Sequence, residues 1–303
     1  AVLAAVVILA GDVLYWTHAR FLSKDLRVTI LDVGQGSAAL LELPGGYNLL
    51  ADGGGFSDNA AFDVGERIVA PYLWQRKIRT IDSIVLSHPN SDHLNGLTYI
   101  AEHFNVKNAW TNGETSRSTG YGLFSETLER KKVSRPRYEA LPRKRCINGV
   151  CLEILYPEKD FLERGIAEPW RNTNNNSLVL KVSYGQHALL FPGDLLADGE
   201  AAIERLAGKA LASTVLIAPH HGSKSSSTPG FINQVNPEIV VISAGWRNRF
   251  KFPHPEVLER YVRSGSRVFR TDLDGAVRLI SDGKTLCVLP TISRGTEDGF
   301  VSN

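Results

Sequence analysis

Short apolar runs recur along this chain, and most end at a cluster of Gly, Pro, Asn, Asp or His. That is the pattern of strands closed by turns. Strands are predicted over 27–33, 38–43 and 47–51, with Gly45-Gly46 turning the second into the third. Further strands are predicted over 81–87, 152–155, 177–182, 187–191, 214–218, 239–243, 267–270, 276–280 and 285–289. Helical spacing predicts helices over 60–75 (kinked or broken at Pro71), 92–104 (Leu94, Leu97, Ile100, Phe104), 198–206 and 256–263. Residues 112–145 are polar, basic and weakly periodic, so they read as an insertion over one face, and 292–303 read as a flexible tail. Two blocks of strands, each interleaved with helices, predict a layered α/β domain rather than one doubly wound sheet.

The chain's first stretch breaks this pattern. Ten apolar residues are interrupted by Gly11 and Asp12, and Val13-Leu14-Tyr15-Trp16 resumes the run. Crossing a bilayer takes ~20 apolar residues, so the run is short by itself. Tyr15 and Trp16, followed by His18, Arg20 and Lys24, read as an interfacial belt. Residues 1–24 are therefore expected to be the tail of a truncated transmembrane helix and its linker. The absence of methionine fits a chain that starts inside a longer protein or after processing. A signal-peptide core, without a basic leader or cleavage site to frame it, and an ordinary core helix are the alternatives.

The 303 residues are 43% hydrophobic and 22% charged, enough for one large domain or two smaller ones. A net charge of +2 supplies no global basic field that would demand nucleic acid. Two local basic runs stand out, 131–145 (Lys131, Lys132, Arg135, Arg137, Arg143, Lys144, Arg145) and 247–251 (Arg247, Arg249, Lys251). Each reads as a solvated loop in the absence of further context. Cys146-Ile147-Asn148-Gly149-Val150-Cys151 centres on Asn-Gly, the preferred two-residue hairpin turn. Ile147 and Val150 then pair by hydrogen bonds, and Cys146 faces Cys151 with Cα atoms ~4.5–5.5 Å apart, within disulfide range. A Cys146–Cys151 bridge is predicted, and with it an oxidising location; two free thiols are the alternative. Cys287 lies in an apolar run and is expected in the core.

Three predicted strands end on metal-competent side chains. Ser87-His88-Pro89-Asn90-Ser91-Asp92-His93 follows the first, Phe191-Pro192-Gly193-Asp194 ends the second, and Ala218-Pro219-His220-His221-Gly222-Ser223 ends the third. Taken singly, each has a bland reading: a turn that caps a helix from Ser91 or Asp92, a turn aspartate, and surface polarity. Gathered at one edge, they supply His88, Asn90, Asp92, His93, Asp194 and His220 or His221. That is enough for a dinuclear site bridged by Asp194.

Together with Leu31-Asp32-Val33-Gly34-Gln35-Gly36-Ser37 and Asp52-Gly53-Gly54, these elements resemble the metallo-β-lactamase superfamily. More narrowly, residues 25–290 resemble the C-terminal domain of the ComEC family, the competence-related DNA-uptake channel proteins. The resemblance implies a four-layer αββα sandwich over 25–291 with a metal site at one edge of its two sheets. The superfamily motif is His-x-His-x-Asp-His, and Asn90 stands here in place of its second histidine. A further superfamily histidine should fall near 172–177, where none is present. The first metal position, built on His88, Asn90 and Asp194, is therefore depleted. The second, built on Asp92, His93, Asp194 and one of His220 or His221, is intact. One or two divalent ions are implied, with manganese the leading expectation and zinc or magnesium the others.

The resemblance implies a metal-dependent phosphodiesterase, a nuclease that degrades the non-imported DNA strand through metal-activated water. Its catalytic set is Asp92, His220 and His254. The general acid is the non-ligand member of His220/His221, or His254 in Phe252-Pro253-His254-Pro255, which otherwise is a loop histidine between prolines. Asp32 and Gln35 are expected to orient the ligands, with Asn176, Ser223 and Asn248 beside them. His187 is expected to be packed, and His18 and His103 carry no signal. DNA is the implied substrate, and the membrane channel region of the same polypeptide the implied partner. The domain is expected to be soluble and monomeric, held at the cell membrane on its extracytoplasmic face. The basic runs could hold phosphates, and Trp170, Trp246 and Tyr184 are candidates either for base stacking or for the core. One alternative is a hydrolase of phosphocholine or similar esters, which needs a cage for a quaternary amine. Another is a DNA-binding domain whose turnover is weakened by the lost ligands. β-Lactam hydrolysis fits poorly because the zinc-site histidines are missing.

Overall fold

A computed structural model describes residues 2–57, 61–165 and 167–293, so all but the first two residues of the expected 292–303 tail lie outside it. The chain opens with helix α1 (Val2–Thr17), which continues as a wider turn through Leu22. No residue of α1 is buried, which removes the reading as an ordinary core helix. Val2–Leu22 is long and apolar enough to cross a membrane, judged by length and composition.

Strands β1 (Leu26–Ile30), β2 (Ala39–Glu42) and β3 (Asn48–Ala51) form an antiparallel meander. A turn over Gly65–Val69 leads into α2 (Ala70–Gln75). The helical backbone is continuous through Val69 and Ala70, and it is widened over Gly65–Val69 directly ahead of Pro71, a local distortion of the kind expected at this proline. Then come β4 (Thr80–Ile81), β5 (Ser83–Leu86), α3 (Ser91–His103), β6 (Asn105–Val106) and β7 (Ala109–Thr111). β5 joins β3 in parallel and β7 joins β5, while β4 and β6 pair apart as a small ribbon. Residues 112–145 contain α4 (Thr119–Arg130), whose Phe124 and Leu128 are buried four residues apart against the same core as α3. This segment thus packs as part of the outer layer beside α3.

The second half runs β8 (Lys144–Ile147), β9 (Val150–Tyr156), α5 (Phe161–Arg164), β10 (Val179–Tyr184), β11 (His187–Phe191) and α6 (Ala197–Ala207). It continues with β12 (Val215–Ile217), α7 (Pro229–Val235), β13 (Ile239–Ile242), α8 (Pro255–Arg263), β14 (Arg267–Arg270) and α9 (Thr271–Asp274). Finally β15 (Val277–Ser281) and β16 (Leu286–Pro290) return to the first sheet beside β1. The sheet orders are β16-β15-β1-β2-β3-β5-β7 and β14-β13-β12-β11-β10-β9-β8.

One core lies between the sheets, including Val28, Ile30, Leu41, Leu180, Val215 and Val241. The alternate residues of the same strands face outward. Leu40, Leu50 and Ile84 meet Leu73, Leu97 and Phe124, while Leu190, Leu216 and Val240 meet Ile203, Phe231 and Val257. Strands buried on both faces must be apolar at nearly every position, hence the continuous runs. The result is the αββα sandwich.

Strand direction decides where the chemistry sits. β1, β3 and β5 run one way in the first sheet, and β11 to β14 are parallel in the second. Their C-terminal ends meet at one edge, where the Ser243 hydroxyl donates to the Gly36 carbonyl at 2.7 Å. The opposite edge carries the hairpin turns: Asn148 Nδ2 donates to the Pro44 carbonyl at 2.7 Å. α1 enters there too, since the Tyr184 hydroxyl bonds the Lys24 carbonyl at 2.6 Å. The Cys146–Cys151 disulfide forms at this edge around Asn148 (φ 47°) and Gly149 (φ 86°), with Cα atoms 4.0 Å apart, somewhat closer than expected. Cys287 is only half-buried, because β16 is an edge strand.

Several side chains of the basic run of 131–145 are paired within the domain. Lys131 pairs with Glu102, Arg143 donates to the Tyr138 hydroxyl and Pro157 carbonyl, and Lys144 pairs with Glu153. Tyr184 and Trp170 also resolve: Tyr184 packs on the central core, and Trp170 packs on the outer one with Arg171 over its ring.

Candidate metal centre

The site is assembled from four strand ends. Asp194, 3% exposed, lies at its middle. Its Oδ1 is 3.1 Å from His93 Nε2 and 3.6 Å from His221 Nε2, and the latter nitrogen is 3.4 Å from Asp92 Oδ2. Its Oδ2 is 3.9 Å from both His88 Nε2 and His220 Nε2. One carboxylate therefore faces two groups of ligand-type atoms, one per oxygen. On the Oδ1 side, Asp92, His93, Asp194 and His221 offer donor atoms all within 4.8 Å of one another.

The local backbone explains why neighbouring histidines point to opposite sides. His220 (φ 49°), His221 (φ 57°) and Gly222 (φ 79°) are successive left-handed residues. Such non-glycine conformations cost ~1–3 kcal/mol each and persist where surrounding structure imposes them. His221 is drawn inward, its Nδ1 donating to the Ser243 carbonyl at 3.0 Å. His220 stays partly exposed, with Nδ1 at 3.4 Å from the Ser225 hydroxyl.

Asp52, at the end of β3 with φ 56°, holds the opposite wall. Its Oδ1 accepts the Ser87 N–H at 2.7 Å, and its Oδ2 accepts the Ser87 hydroxyl and His93 Nδ1, both at 2.8 Å. With Nδ1 donating, a neutral His93 presents an Nε2 lone pair toward Asp194, an arrangement that fixes a metal-binding imidazole. His88 Nδ1 contacts the Ser87 and Ser177 hydroxyls at 3.0 and 3.3 Å. Asn90, and not Ser91 or Asp92, is the N-cap of α3, yet its side chain does not cap the helix. Its Nδ2 donates to Asn174 Oδ1 at 2.8 Å instead.

The electrostatics call for a cation. Burial raises the Asp194 carboxyl, but His93 and His221 outweigh it and hold it well below the ordinary range. Burial likewise raises Asp92, and His221, 3.4 Å away, with nearby His93 brings it down to about 2. Burial lowers His93 and His221, but Asp194, helped by Asp52 at His93 and Asp92 at His221, pulls both upward. His88, fully buried and beside His93, falls to about 4, and burial also lowers His220. The buried Nε2 atoms of His88, His93 and His221 make no hydrogen bond among the described residues. Orphaned imidazole nitrogens around ionised carboxylates fit a divalent metal.

The other expected site residues fall into place unevenly. Asp32 accepts the Gly34 N–H at 3.2 Å, and among the described residues no hydrogen bond or ion pair joins it to a ligand. Gln35 reaches Gly245 N at 3.5 Å, across the sheets. The 32–37 loop does act on Asp92, through its backbone: Ser37 N donates to the Asp92 carbonyl at 3.0 Å. Ser223 bonds Ser225, and Asn176 has a buried Oδ1 with no hydrogen bond among the described residues. Asn248 pins its own loop, donating to the Gly245 and Phe252 carbonyls. The His254 backbone N–H donates to the Gly222 carbonyl at 2.9 Å, and its Nδ1 is buried without a hydrogen bond among the described residues. His187 is buried and bonded to Ser281, as expected of a packed residue. Ser177 occupies the stretch where the further histidine was sought, and its hydroxyl also accepts the Asp194 N–H at 3.0 Å.

A family model for the metallo-beta-lactamase superfamily matches residues 31–246, which contain every one of these strand-end ligands. The chain belongs to the metallo-beta-lactamase superfamily. This superfamily typically binds divalent metals, which agrees with the donor set. The superfamily chain is similar over most of its length to ComEC-family competence proteins. It is 30% identical to "ComE operon protein 3" of Bacillus subtilis, over 85% of this chain and 33% of that protein. It is 34% identical to "Competence protein ComA" of Neisseria gonorrhoeae, over 90% and 35%. It is 31% identical to "Recombination protein 2" of Haemophilus influenzae, over 84% and 28%. The chain thus spans about a third of the length of these relatives. Among solved structures, the diiron β-hydroxylase CmlA of Streptomyces venezuelae superposes with a TM-score of 0.50 at 12% identity, over 86% of this chain and 54% of that one. That likeness concerns the fold alone.

Proposed function

We propose that this domain is a metal-dependent phosphodiesterase that hydrolyses DNA as part of a membrane uptake channel. The observation that carries the reading is the two-sided Asp194, flanked on each oxygen by buried histidine nitrogens that lack hydrogen bonds. Asp92, His93, Asp194 and His221 would hold the tighter ion. His88, Asn90, His220 and the second oxygen of Asp194 would hold the weaker one. A divalent pair supplies an activated water and neutralises the charge that develops on a phosphodiester. Each side then offers two nitrogens and two oxygens, with Asn90 adding an oxygen where the superfamily motif has a histidine, and such mixed sets suit manganese. Asp52 keeps the proton on His93 Nδ1, and the Ser243 carbonyl does the same for His221. With His220 and His221 both given to ions, neither imidazole is left over as the general acid. The proton for the leaving oxygen then falls to His254, held against the same turn.

The competence relatives support DNA as the substrate, with degradation of the non-imported strand as its use. The disulfide and the apolar Val2–Leu22 helix, both at the edge away from the site, support an extracytoplasmic domain tethered to a membrane. A phosphocholine-type ester is disfavoured, because the aromatic rings beside the site carry arginines that repel a quaternary amine. The test is cleavage of end-labelled single- and double-stranded DNA with manganese, magnesium or zinc, beside Asp92→Ala and Asp194→Ala. Metal-dependent cleavage lost in both variants is expected. Cleavage that survives either substitution, or needs no metal, overturns the reading.

A further inference from the structure

A groove of about 660 Å³ runs from solvent to Asp92 between the 32–37 and 55–57 loops on one side and the 245–250 loop on the other. Its wall carries Phe56, Trp246, Arg249 and Phe250. Trp246 is 69% exposed and Phe250 48% exposed, an unusual position for large aromatic rings. Each has an arginine over its face: Arg247 lies 4.4 Å from the Trp246 centroid and Arg249 lies 4.8 Å from that of Phe250. Phe250 stacks on Phe252 at 5.5 Å, and Phe252 meets the His220 ring edge-on at 5.7 Å. A line of rings thus leads from the open platform to the metal centre.

The loop is held in this shape from within. Asn248 bonds the Gly245 carbonyl and both backbone groups of Phe252, while Arg247 and Lys251 take left-handed backbone angles (φ 49° and 58°). The rings are presented without help from an occupant. The pattern, flat π faces alternating with guanidinium groups and Lys251 beside them, matches the alternation of bases and phosphates in a nucleic-acid strand. Among the described residues, the acidic groups lining the groove are Asp32 and Asp92, the latter at its inner end. In a duplex the base faces are already stacked on one another, so only an unpaired strand can lay them on Trp246 and Phe250.

We infer that Trp246 and Phe250, with Arg247 and Arg249, form a base-stacking platform that feeds a single-stranded polynucleotide to Asp92. The inference rests on the phosphodiesterase reading but makes its own demand on binding. The platform sets specificity, while chemistry stays with the metal centre.

The test uses the full chain stripped of metal by chelation. Fluorescence anisotropy measures binding of a thymidine oligonucleotide of about 12 nucleotides, an abasic strand of equal length and a hairpin duplex. Trp246→Ala and Phe250→Ala should each weaken thymidine-strand binding about five- to hundredfold. Trp246→Phe should restore most of it, and the abasic strand should bind weakly and equally to all. Hydrolysis of a small p-nitrophenyl phosphodiester by the manganese-loaded protein reports separately on whether the metal centre works in each variant. If that hydrolysis is intact while the alanine variants bind the strand as the natural protein does, the platform is refuted and the enzyme reading survives. Failure of the natural protein to bind the thymidine strand, or equal loss of duplex and single-strand binding on Trp246→Ala, also refutes the platform. Strand binding that depends on Trp246, in a protein hydrolysing neither DNA nor the small ester, leaves the platform standing and removes the enzyme.

Discussion

Asp52 is the most informative residue to change, because it touches no proposed metal position yet controls one. In Asp52→Asn the side chain keeps its shape but replaces one acceptor oxygen with an NH₂ donor. If the oxygen keeps the Ser87 N–H, the nitrogen takes the place of Oδ2, which now accepts from Ser87 Oγ and His93 Nδ1 at 2.8 Å. The serine hydroxyl can rotate and accept. His93 can accept only by moving its proton to Nε2, the atom that faces Asp194 at 3.1 Å. A protonated Nε2 has no lone pair for a metal. The opposite amide rotamer sets NH₂ against the Ser87 N–H, donor against donor. Loss of such a supporting carboxylate weakens metal binding ~10–100-fold, about 1.4–2.7 kcal/mol. Calorimetric titration of manganese into the metal-free variant measures this, with its thermal melt as the control for folding. Activity should fall at limiting manganese and recover at high manganese. A folded Asp52→Asn protein with manganese affinity within about twofold of the natural protein would refute this account of His93.

Three further outcomes are expected. Gly96→Ala should destabilise the fold by ~1–3 kcal/mol or more, read in urea unfolding, because its methyl would overlap the Gly53 carbonyl oxygen and lever α3 away from the Asp52 loop. The double change Cys146→Ser and Cys151→Ser should cost about 2 kcal/mol for this short loop, yet leave manganese affinity unchanged, since the bridge lies at the edge opposite the metal centre. Burial pushes the Glu200 carboxyl up to about 7, with the Thr228 and Ser227 N–H groups offsetting part of the rise. The folded state therefore favours its protonated form. The associated stability is full below about pH 4.5 and is lost as pH rises through about 7, roughly 3 kcal/mol in all, and Glu200→Gln should flatten this part of the pH–stability profile of the metal-free protein.

Much of this architecture was legible from the strand ends. Strands buried on both faces write themselves as unbroken apolar runs, and the polar residues that stop them are those gathered at the metal edge. The Asn-Gly hairpin was legible because a two-residue turn fixes the register of its flanking cysteines. α4 was not, because the polar residues of its exposed face mask a stripe as narrow as Phe124 and Leu128. Asp52 follows the same rule as Asp194, a carboxylate at a strand end, but Asp52-Gly53-Gly54 entered only as part of the family resemblance and its hold on His93 was not read. The choice between His220 and His221 could not be read from adjacent positions, since it depends on the left-handed backbone that turns their rings apart. Trp246 could not be told from Trp170 or Tyr184 without knowing which rings the core covers. The contact from the 32–37 loop to Asp92 was not legible either, because it runs through the Ser37 backbone N–H and not through a side chain.

The central claim is that Asp194 joins two metal positions of unequal strength. Anomalous diffraction at the manganese edge, from crystals of this protein grown with manganese, tests it most directly. The account predicts a strong peak among Asp92, His93, Asp194 and His221, and a weaker one on the His88 and His220 side of Asp194. Manganese bound elsewhere, or a single peak on the His88 side with the Asp92 side empty, would contradict it.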